Sequence, residues 1–293
     1  MKALIILNPP AEEADRQLLH DTLDRYFVAA QIEYEMYETR EGDHLADRVR
    51  ERLPEGFGLV VAVGGDGTVS AVGDGMAGSS IPLGIIPTGT GNLLARELEI
   101  PLDLEEAVAL IAGAHSERKI DGMRIGERIF FLNASVGISA AVVGGTTRES
   151  KKRFGRIAYV GATMVKVLSS KPRYLTVEVD GKAHPYRAVD VAIMNCGMVG
   201  KQLYPGDPEI RIDDGHLGVG ILSVKRIWHC SWYAIGVVIG WIATPQSHFI
   251  KVDKIVSIRS SVPLPVQADG DLIGTTPFDV EILPGVLTVL VPA

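Results

Sequence analysis

The feature that most constrains this chain is a glycine-rich turn at residues 64–68, Gly-Gly-Asp-Gly-Thr, directly after the apolar run Leu59–Val63. Five apolar residues rich in Val are typical of a buried strand, and the pattern from Val69 to Met76 is helical. A strand, a glycine turn and a helix N-terminus together favour phosphate binding, because backbone N–H groups point at the anion. Asp66 would repel phosphate unless a metal ion or a proton lies between them, so the turn favours phosphoryl transfer with Mg²⁺.

Strand and helix patterns alternate over residues 1–120. Alternation of this kind predicts a doubly wound, parallel α/β sheet, in which ligands bind beyond the carboxyl ends of the strands. Both glycine-rich turns of this region, after Val63 and after Ile86, fall at such ends. The predicted strands are 4–7, 32–37, 59–63 and 83–86, and the predicted helices are 12–30, 43–53, 69–76 and 104–114.

A second glycine-rich turn, residues 87–92 with the sequence Pro-Thr-Gly-Thr-Gly-Asn, precedes another helical pattern. Its hydroxyl and N–H groups suit phosphate or ribose, although Thr90 or Asn92 would equally serve as an ordinary helix N-cap. Two such turns in one sheet strengthen the binding interpretation. A third pattern, Gly-x-Gly-x-x-Gly at 73–78, follows a helical pattern rather than a strand, so it is interpreted as a helix C-terminus and loop.

From about Asp121 the pattern changes to short strands separated by hairpin turns. This predicts a second, mainly antiparallel, β-sandwich-like domain. We therefore expect an α/β domain over residues 1–121, to which the C-terminal strand can return, and a β-rich domain over residues 122–293. Its predicted strands include 175–179, 188–194, 218–222, 255–258, 280–283 and 287–291, with helical stretches at 157–168 and 227–243.

The overall composition excludes some partners. A net charge of −7 and a pI of about 5.5 argue against nucleic-acid binding, which needs a basic surface. Cys196 and Cys230 lack metal-type spacing and are interpreted as structural thiols of a reduced, cytoplasmic protein. The longest apolar segments are shorter than the roughly 20 residues that a membrane-spanning helix needs.

Two features of the sequence are compatible with contact with a membrane surface, and each also has an interpretation without a membrane. The apolar segment 227–243 contains all three tryptophans, and it is either a buried helix or a surface helix anchored by them in a bilayer. The basic cluster at 148–156 is either a solvated face or a docking point for an anionic bilayer.

Five motifs, taken in order and spacing, resemble one family over nearly the whole chain. They are Asn-Pro at 8–9, the two glycine-rich turns at 64–68 and 87–92, Ile-Asp-Asp-Gly at 212–215 and Asp-Gly-Asp at 269–271. The set is similar to the diacylglycerol kinase catalytic-domain family, lipid kinases that include bacterial diacylglycerol kinases and sphingosine kinases. NAD kinases are similar in fold and in the first glycine-rich turn.

The resemblance implies ATP-dependent, Mg²⁺-requiring transfer of a phosphoryl group to a lipid hydroxyl. Such transfer depends on alignment and charge neutralisation more than on covalent catalysis, which suits these motifs. The residues implied to bind ATP are Asn8, Thr39, Gly64, Gly65, Asp66, Gly67, Thr68 and Thr90.

The resemblance also implies which residues hold the metal ion. Asp214 would bind Mg²⁺ together with the main-chain carbonyl oxygens of Ile212 and His216, while Asp66 and Asp121 would join the ion through water. A partly hydrated ion of this kind is ordinary magnesium chemistry. From the residues alone, Asp214 also fits a hairpin turn and Asp121 a strand-end cap.

Two carboxylates are candidates for accepting the proton of the lipid hydroxyl. Asp271 falls where bacterial relatives usually carry a glutamate, and it is the preferred catalytic residue although its side chain is one methylene shorter. Asp66 is the alternative, as relatives in the sphingosine kinase branch suggest. The two preceding residues, Asp269 and Gly270, are of the types that favour a tight turn.

The preferred reaction converts diacylglycerol to phosphatidic acid, but a sphingoid base, phosphatidylglycerol or a polyprenol fits the sequence as well. An NAD kinase and a non-catalytic nucleotide- or lipid-binding protein are the alternatives. We expect a cytoplasmic protein in peripheral contact with the inner face of the membrane, where its lipid substrate lies. Exposed edge strands in the β-rich domain allow a homodimer.

Overall fold

The computed structural model describes residues 1–8, 13–40, 42–144, 172–197, 210–223 and 247–293. Four predicted features lie outside the described residues: the helices at 157–168 and 227–243, the basic cluster at 148–156 and Cys230. Cys196 is buried. The chain divides into two compact units. The first unit comprises Met1–Gly122, Arg128–Phe131 and Leu283–Ala293, and the second comprises Met123–Glu127 and Leu132–Ile282.

The first unit is a parallel α/β sheet, as the alternation of patterns predicts. Its four parallel strands lie in the order β4-β3-β1-β2, so the chain reverses direction across the sheet between β1 and β3. The elements are β1 (Lys2–Leu7), α1 (Glu13–Ala29), β2 (Glu33–Glu38), α2 (Leu45–Arg52), β3 (Leu59–Gly64), α3 (Asp66–Met76), β4 (Leu83–Pro87), α4 (Leu93–Glu97), α5 (Leu104–Ala112), β5 (Ser116–Ile125) and β6 (Arg128–Phe130).

The core of this unit explains why the strands are continuous apolar runs. All six residues of β3 are buried, which is the pattern of a parallel strand covered on both faces. Helices α1 and α5 contribute apolar side chains to the core, among them Phe27 and Ile111, which cluster with Val61 of β3. Burial on both faces therefore fixes the position of β3, and with it the position of the first glycine-rich turn.

Helix α3 begins at Asp66, three residues earlier than predicted, and it includes two glycines that we interpreted as a C-terminus and loop. Both glycines, Gly73 and Gly75, lie close to the end of the helix, within the span 69–76 that the sequence predicts as helical. A Cβ on Gly75 would lie 2.5 Å from the carbonyl oxygen of Ala46, and one on Gly73 would lie 2.7 Å from the Phe131 ring. These glycines allow close packing around the helix; Gly78, with φ +80°, follows it.

The last strand, β15 (Phe278–Val291), is continuous where the sequence predicts two strands. Gly285 interrupts the apolar pattern with φ +58°, yet its N–H donates to the carboxylate of Asp121 at 2.7 Å. Asp121 is buried in the middle of β5, so its interpretation as a strand-end cap is wrong. From Leu283 onwards β15 belongs to the first unit, where Val289 is the partner of Leu83 in a parallel pairing with β4.

The second unit is mainly antiparallel, as predicted. Strands β14-β13-β7-β9-β8-β12 follow one another in the sheet, β12 also pairs with residues 278–281, and β10 pairs with β9 and β11. A two-residue turn at Asp180-Gly181, with φ +47° and +83°, joins β8 to β9. The elements are β7 (Asn133–Gly137), α6 (Ile138–Gly144), β8 (Arg173–Val179), β9 (Lys182–Met194), β10 (Leu217–Ser223), β11 (Ser247–Val252), β12 (Ile255–Ser260), β13 (Pro265–Ala268) and β14 (Asp271–Thr275).

Asp190 in β9 is a buried carboxylate that links the stability of the second unit to pH. Ser139 donates to it twice, from its N–H at 3.0 Å and from its hydroxyl at 2.7 Å. Burial nevertheless raises the pKa of Asp190 from an ordinary 3.8 to about 6. Because the folded state holds this proton more tightly than the unfolded state, the group stabilises the fold at low pH. That contribution is lost as the pH rises through about 6.

We expect Asp190→Asn, which cannot ionise, to remove this pH dependence. The free energy of unfolding of the variant, relative to wild type, should rise by up to about 3 kcal/mol between about pH 4 and about pH 7.5. Urea denaturation followed by circular dichroism at both pH values measures it. Asp279→Asn, at an exposed carboxylate, is the control. If the free energies of unfolding of Asp190→Asn and wild type differ by the same amount at both pH values, the prediction is wrong.

Candidate active site

The carboxyl edge of the parallel sheet brings together the predicted ATP-binding residues of the first two strands. Asn8 follows β1, and its N–H donates to Val63 O at 2.9 Å. Thr39 follows β2, its N–H donates to Leu7 O at 2.8 Å, and its hydroxyl donates to Asn8 Oδ1 at 3.5 Å. The two side chains therefore lie side by side, next to the point between β1 and β3 where ligands bind in sheets of this order.

The first glycine-rich turn joins β3 to α3 at the same edge. Gly65 is the N-cap residue of α3, and its carbonyl oxygen accepts from Thr68 N and Val69 N. The first N–H groups of a helix have no acceptor within it, so those of Asp66 and Gly67 suit an anion. Gly67 is exposed, and a Cβ at this position would contact nothing within 4 Å, so packing does not require a glycine there.

The two glycine-rich turns touch through their backbones. A Cβ on Gly89 would lie 2.5 Å from Gly65 Cα, and one on Gly65 would lie 3.2 Å from Gly89 Cα. Thr88 N donates to Gly64 O at 3.1 Å, while Thr90 is exposed on the second turn. A side chain at Gly89 would force the backbones apart, whereas one at Gly65 would need a shift of a few tenths of an ångström, so the two turns are in close backbone contact.

Asn92 closes the second turn, a role that the sequence analysis missed. Its side-chain amide donates to Gly89 O at 2.8 Å, and its Oδ1 accepts from Gly89 N at 3.0 Å. Asn92, rather than Thr90, stands at the N-cap position of α4, but its own side chain does not cap the helix. Its φ of +49° lies in the left-handed region, which Asn tolerates better than most residues. The Asn itself was therefore the signal for this turn in the sequence.

Asp66 contacts the second turn. Its Oδ1 accepts from Leu94 N at 3.3 Å, near the beginning of α4, and a Cβ on Gly91 would lie 2.8 Å from its Oδ2. The carboxylate therefore helps to hold the two turns together, which gives an acid in a predicted phosphate-binding turn a structural role. Whether Asp66 also meets a metal ion through water stays a prediction, and so does the same role for Asp121.

In the second unit, the predicted metal-binding segment is a tight turn ahead of β10. Asp214 Oδ1 accepts from His216 N at 3.0 Å, and Gly215 between them has φ +72°. The turn interpretation of Asp214 thus matches its local geometry, while no hydrogen bond to its second carboxylate oxygen is found among the described residues. Ile212 is buried. Within the described ranges, no group of three or more His, Cys, Asp or Glu could hold a metal ion.

Asp269 and Asp271 have different environments at the β13–β14 hairpin. Asp269 and Gly270 form the two-residue turn, with φ +46° and +90°, and Asp269 Oδ1 accepts from Leu132 N and Asn133 N at 2.9 and 3.0 Å. Asp271, the first residue of β14, is exposed. Asp269 is therefore engaged in building the hairpin, and Asp271 is the carboxylate left open to solvent.

Two family models together match nearly the whole chain. Residues 2–125 match the diacylglycerol kinase catalytic domain, and residues 133–291, more than half of the chain, match the YegS C-terminal NAD kinase beta sandwich-like domain. The chain belongs to the diacylglycerol kinase catalytic-domain family. This confirms the resemblance drawn from the sequence motifs.

Curated relatives point to the same family. A Pseudomonas aeruginosa (strain UCBPP-PA14) protein described as "Probable lipid kinase YegS-like" is 28% identical over 84% of this chain and 80% of its own length. A Pseudomonas putida relative with the same description is 31% identical over 61% of this chain. The chain spans 60% of that relative, and 56% of an uncharacterized Synechocystis protein to which it is 27% identical.

A solved structure confirms the fold of this family member. A diacylglycerol kinase from Bacillus anthracis strain Sterne superposes with a TM-score of 0.77 at 24% identity, covering 99% of this chain and 96% of that one. The α/β domain followed by a mainly antiparallel β-sandwich domain is thus confirmed. No helix in the described part of the chain is long and apolar enough to cross a membrane.

Proposed function

We propose that this chain is an ATP-dependent lipid kinase that transfers the γ-phosphoryl group to the hydroxyl of diacylglycerol and yields phosphatidic acid. The observation that carries the proposal is the direct backbone contact between the two glycine-rich turns, at Gly65 and Gly89, in a member of a lipid kinase family. Two turns in contact offer N–H groups to neighbouring phosphates of one nucleotide. An isolated turn would offer one such site.

The chemistry needs positioning and charge neutralisation, because phosphoryl transfer involves little covalent work by the protein. In the proposal, N–H groups of α3 and of the second turn bind ATP phosphates, and Asn8 with Thr39 lines the rest of the nucleotide site. Asp271 accepts the proton of the lipid hydroxyl. Its exposure at the start of β14 supports this role, since an incoming hydroxyl needs an accessible oxygen.

Mg²⁺ belongs to the proposal as the ion that neutralises phosphate charge. Asp214 fits its chemistry, because one carboxylate oxygen supports the turn and the other is left for a hard cation. Carbonyl oxygens of Ile212 and His216 would complete the protein ligands. With so few of them, water and phosphate oxygens would supply the rest, as is usual for this ion.

The lipid substrate brings a further proposal with it, about where the chain acts. Diacylglycerol lies in membranes, so the chain would meet it by peripheral contact at the inner face of a cytoplasmic membrane. A homodimer stays a prediction, and the exclusion of nucleic acid still rests on the acidic net charge.

Phosphoryl transfer from γ-labelled ATP in mixed micelles tests the proposal. The acceptor panel is diacylglycerol, sphingosine, phosphatidylglycerol, a polyprenol and NAD, each with Mg²⁺ and with excess chelator. We expect labelled phosphatidic acid that disappears with the chelator. A labelled product from another lipid would change the proposed acceptor and leave the lipid kinase reaction standing. Label only on NAD would overturn the lipid kinase, and ATP binding without any labelled product would indicate a binding protein.

A further inference from the structure

The two glycine-rich turns carry no positive charge of their own. Residues 64–68 and 88–92 contain one ionisable side chain, that of Asp66, which is negative. A nucleoside triphosphate is strongly anionic, and kinases usually meet it with Lys or Arg in addition to a metal ion. A cationic side chain from a neighbouring element is therefore expected beside the turns.

Arg96 on α4 is held beside the second turn. Its Nε donates to the carbonyl oxygen of Gly91 at 3.0 Å. Because Nε is part of the planar guanidinium group, this bond fixes the whole group close to the turn. The two Nη atoms keep four N–H donors, arranged as a fork that matches phosphate oxygens.

The charge of Arg96 is not neutralised by the described part of the protein. The side chain is exposed and forms no ion pair with any described acidic residue. Two other exposed arginines of the first unit differ in this respect. Arg25 pairs with Glu105 at 2.9 Å, and Arg48 pairs with Glu51 at 3.4 Å.

Gly91 receives contacts from two sides. The carboxylate of Asp66 lies where a Gly91 side chain would be, and the guanidinium of Arg96 binds the Gly91 carbonyl. These contacts orient the guanidinium before any ligand arrives, so little side-chain entropy is lost on binding. We propose that Arg96 binds the terminal phosphates of the nucleotide through its Nη groups, an inference that rests on the proposed ATP site.

The test compares nucleotides that differ in the number of their phosphate groups. Arg96→Gln removes the charge, and Arg96→Lys keeps the charge but loses the Nε anchor and the fork. We expect both variants to weaken ATP binding by about 10- to 100-fold, the size of a lost charge-assisted hydrogen bond, and to leave AMP binding nearly unchanged. Calorimetric titration of ATP, ADP and AMP measures this, and Arg48→Gln controls for the loss of one positive charge from the first unit.

Each outcome decides for or against the inference. Equal weakening of ATP and AMP would mean that Arg96 only supports the turn, and unchanged ATP binding would mean that it meets no phosphate; either overturns the inference. Lipid phosphorylation by wild type, measured in parallel, tests the proposed function separately. Tight, Arg96-dependent ATP binding without any phosphorylated lipid would overturn the kinase and leave the phosphate-binding role of Arg96 standing.

Discussion

Asp271→Asn is expected to lower kcat for lipid phosphorylation by about 10²- to 10⁴-fold, the usual contribution of a general base. Asn has the same shape but cannot accept a proton from the lipid hydroxyl. The Asp271 side chain is exposed at the start of β14 and makes no hydrogen bond to a described residue, so the substitution leaves the backbone pairing with Ala268 in the hairpin intact. The measurement is kcat at saturating ATP and lipid, with ATP affinity expected to stay unchanged.

Two further variants make this result specific. Asp279→Asn removes another exposed carboxylate of the second unit and should leave kcat unchanged. Asp66→Asn tests the alternative proton acceptor, because an Asn oxygen can still accept from Leu94 N and keep the second turn in place. A large fall in kcat for Asp66→Asn, with full activity for Asp271→Asn, would reverse the assignment.

The α/β domain could be predicted because its signals are local. A parallel strand buried on both faces is an apolar run, so β3 is visible in the sequence, and a glycine turn marks its end. The continuous course of β15 could not be predicted, since Pro284 and Gly285 look like a break. Gly285 N–H donates the hydrogen bond that holds it, and the acceptor is the carboxylate of Asp121, which lies far away in the sequence.

The candidate site, too, could be predicted from the sequence only in part. Both glycine-rich turns are short motifs, and their positions at strand ends follow from the alternation of patterns. The contact of Gly65 with Gly89 and the hydrogen bond from Leu94 N to the Asp66 carboxylate join segments that are far apart in the sequence. No spacing rule predicts them, because they depend on how two neighbouring strands align.

Gly89→Ala is expected to lower kcat/KM for ATP by more than about 100-fold and to destabilise the first unit by about 1–3 kcal/mol, as overpacking does. The new Cβ would lie 2.5 Å from Gly65 Cα, and backbone atoms cannot move aside as a side-chain end can. The two turns must therefore separate, and the shared backbone surface is lost. Steady-state kinetics with varied ATP and thermal denaturation followed by circular dichroism measure the two effects.

Gly67→Ala is the informative contrast, since the two substitutions add the same methyl group. At Gly67 the Cβ meets no protein atom, and within a helix Ala is favoured over Gly by up to about 1 kcal/mol, so stability should be kept or raised. If phosphate approaches the N–H groups of this turn, the methyl group obstructs it and ATP binding weakens in a protein that is fully folded. Gly58→Ala, where the Cβ makes ordinary contacts with Met1 at 3.7 Å, controls for the substitution itself. Unchanged ATP binding in Gly67→Ala would mean that the nucleotide does not approach this turn, whatever the result at Gly89.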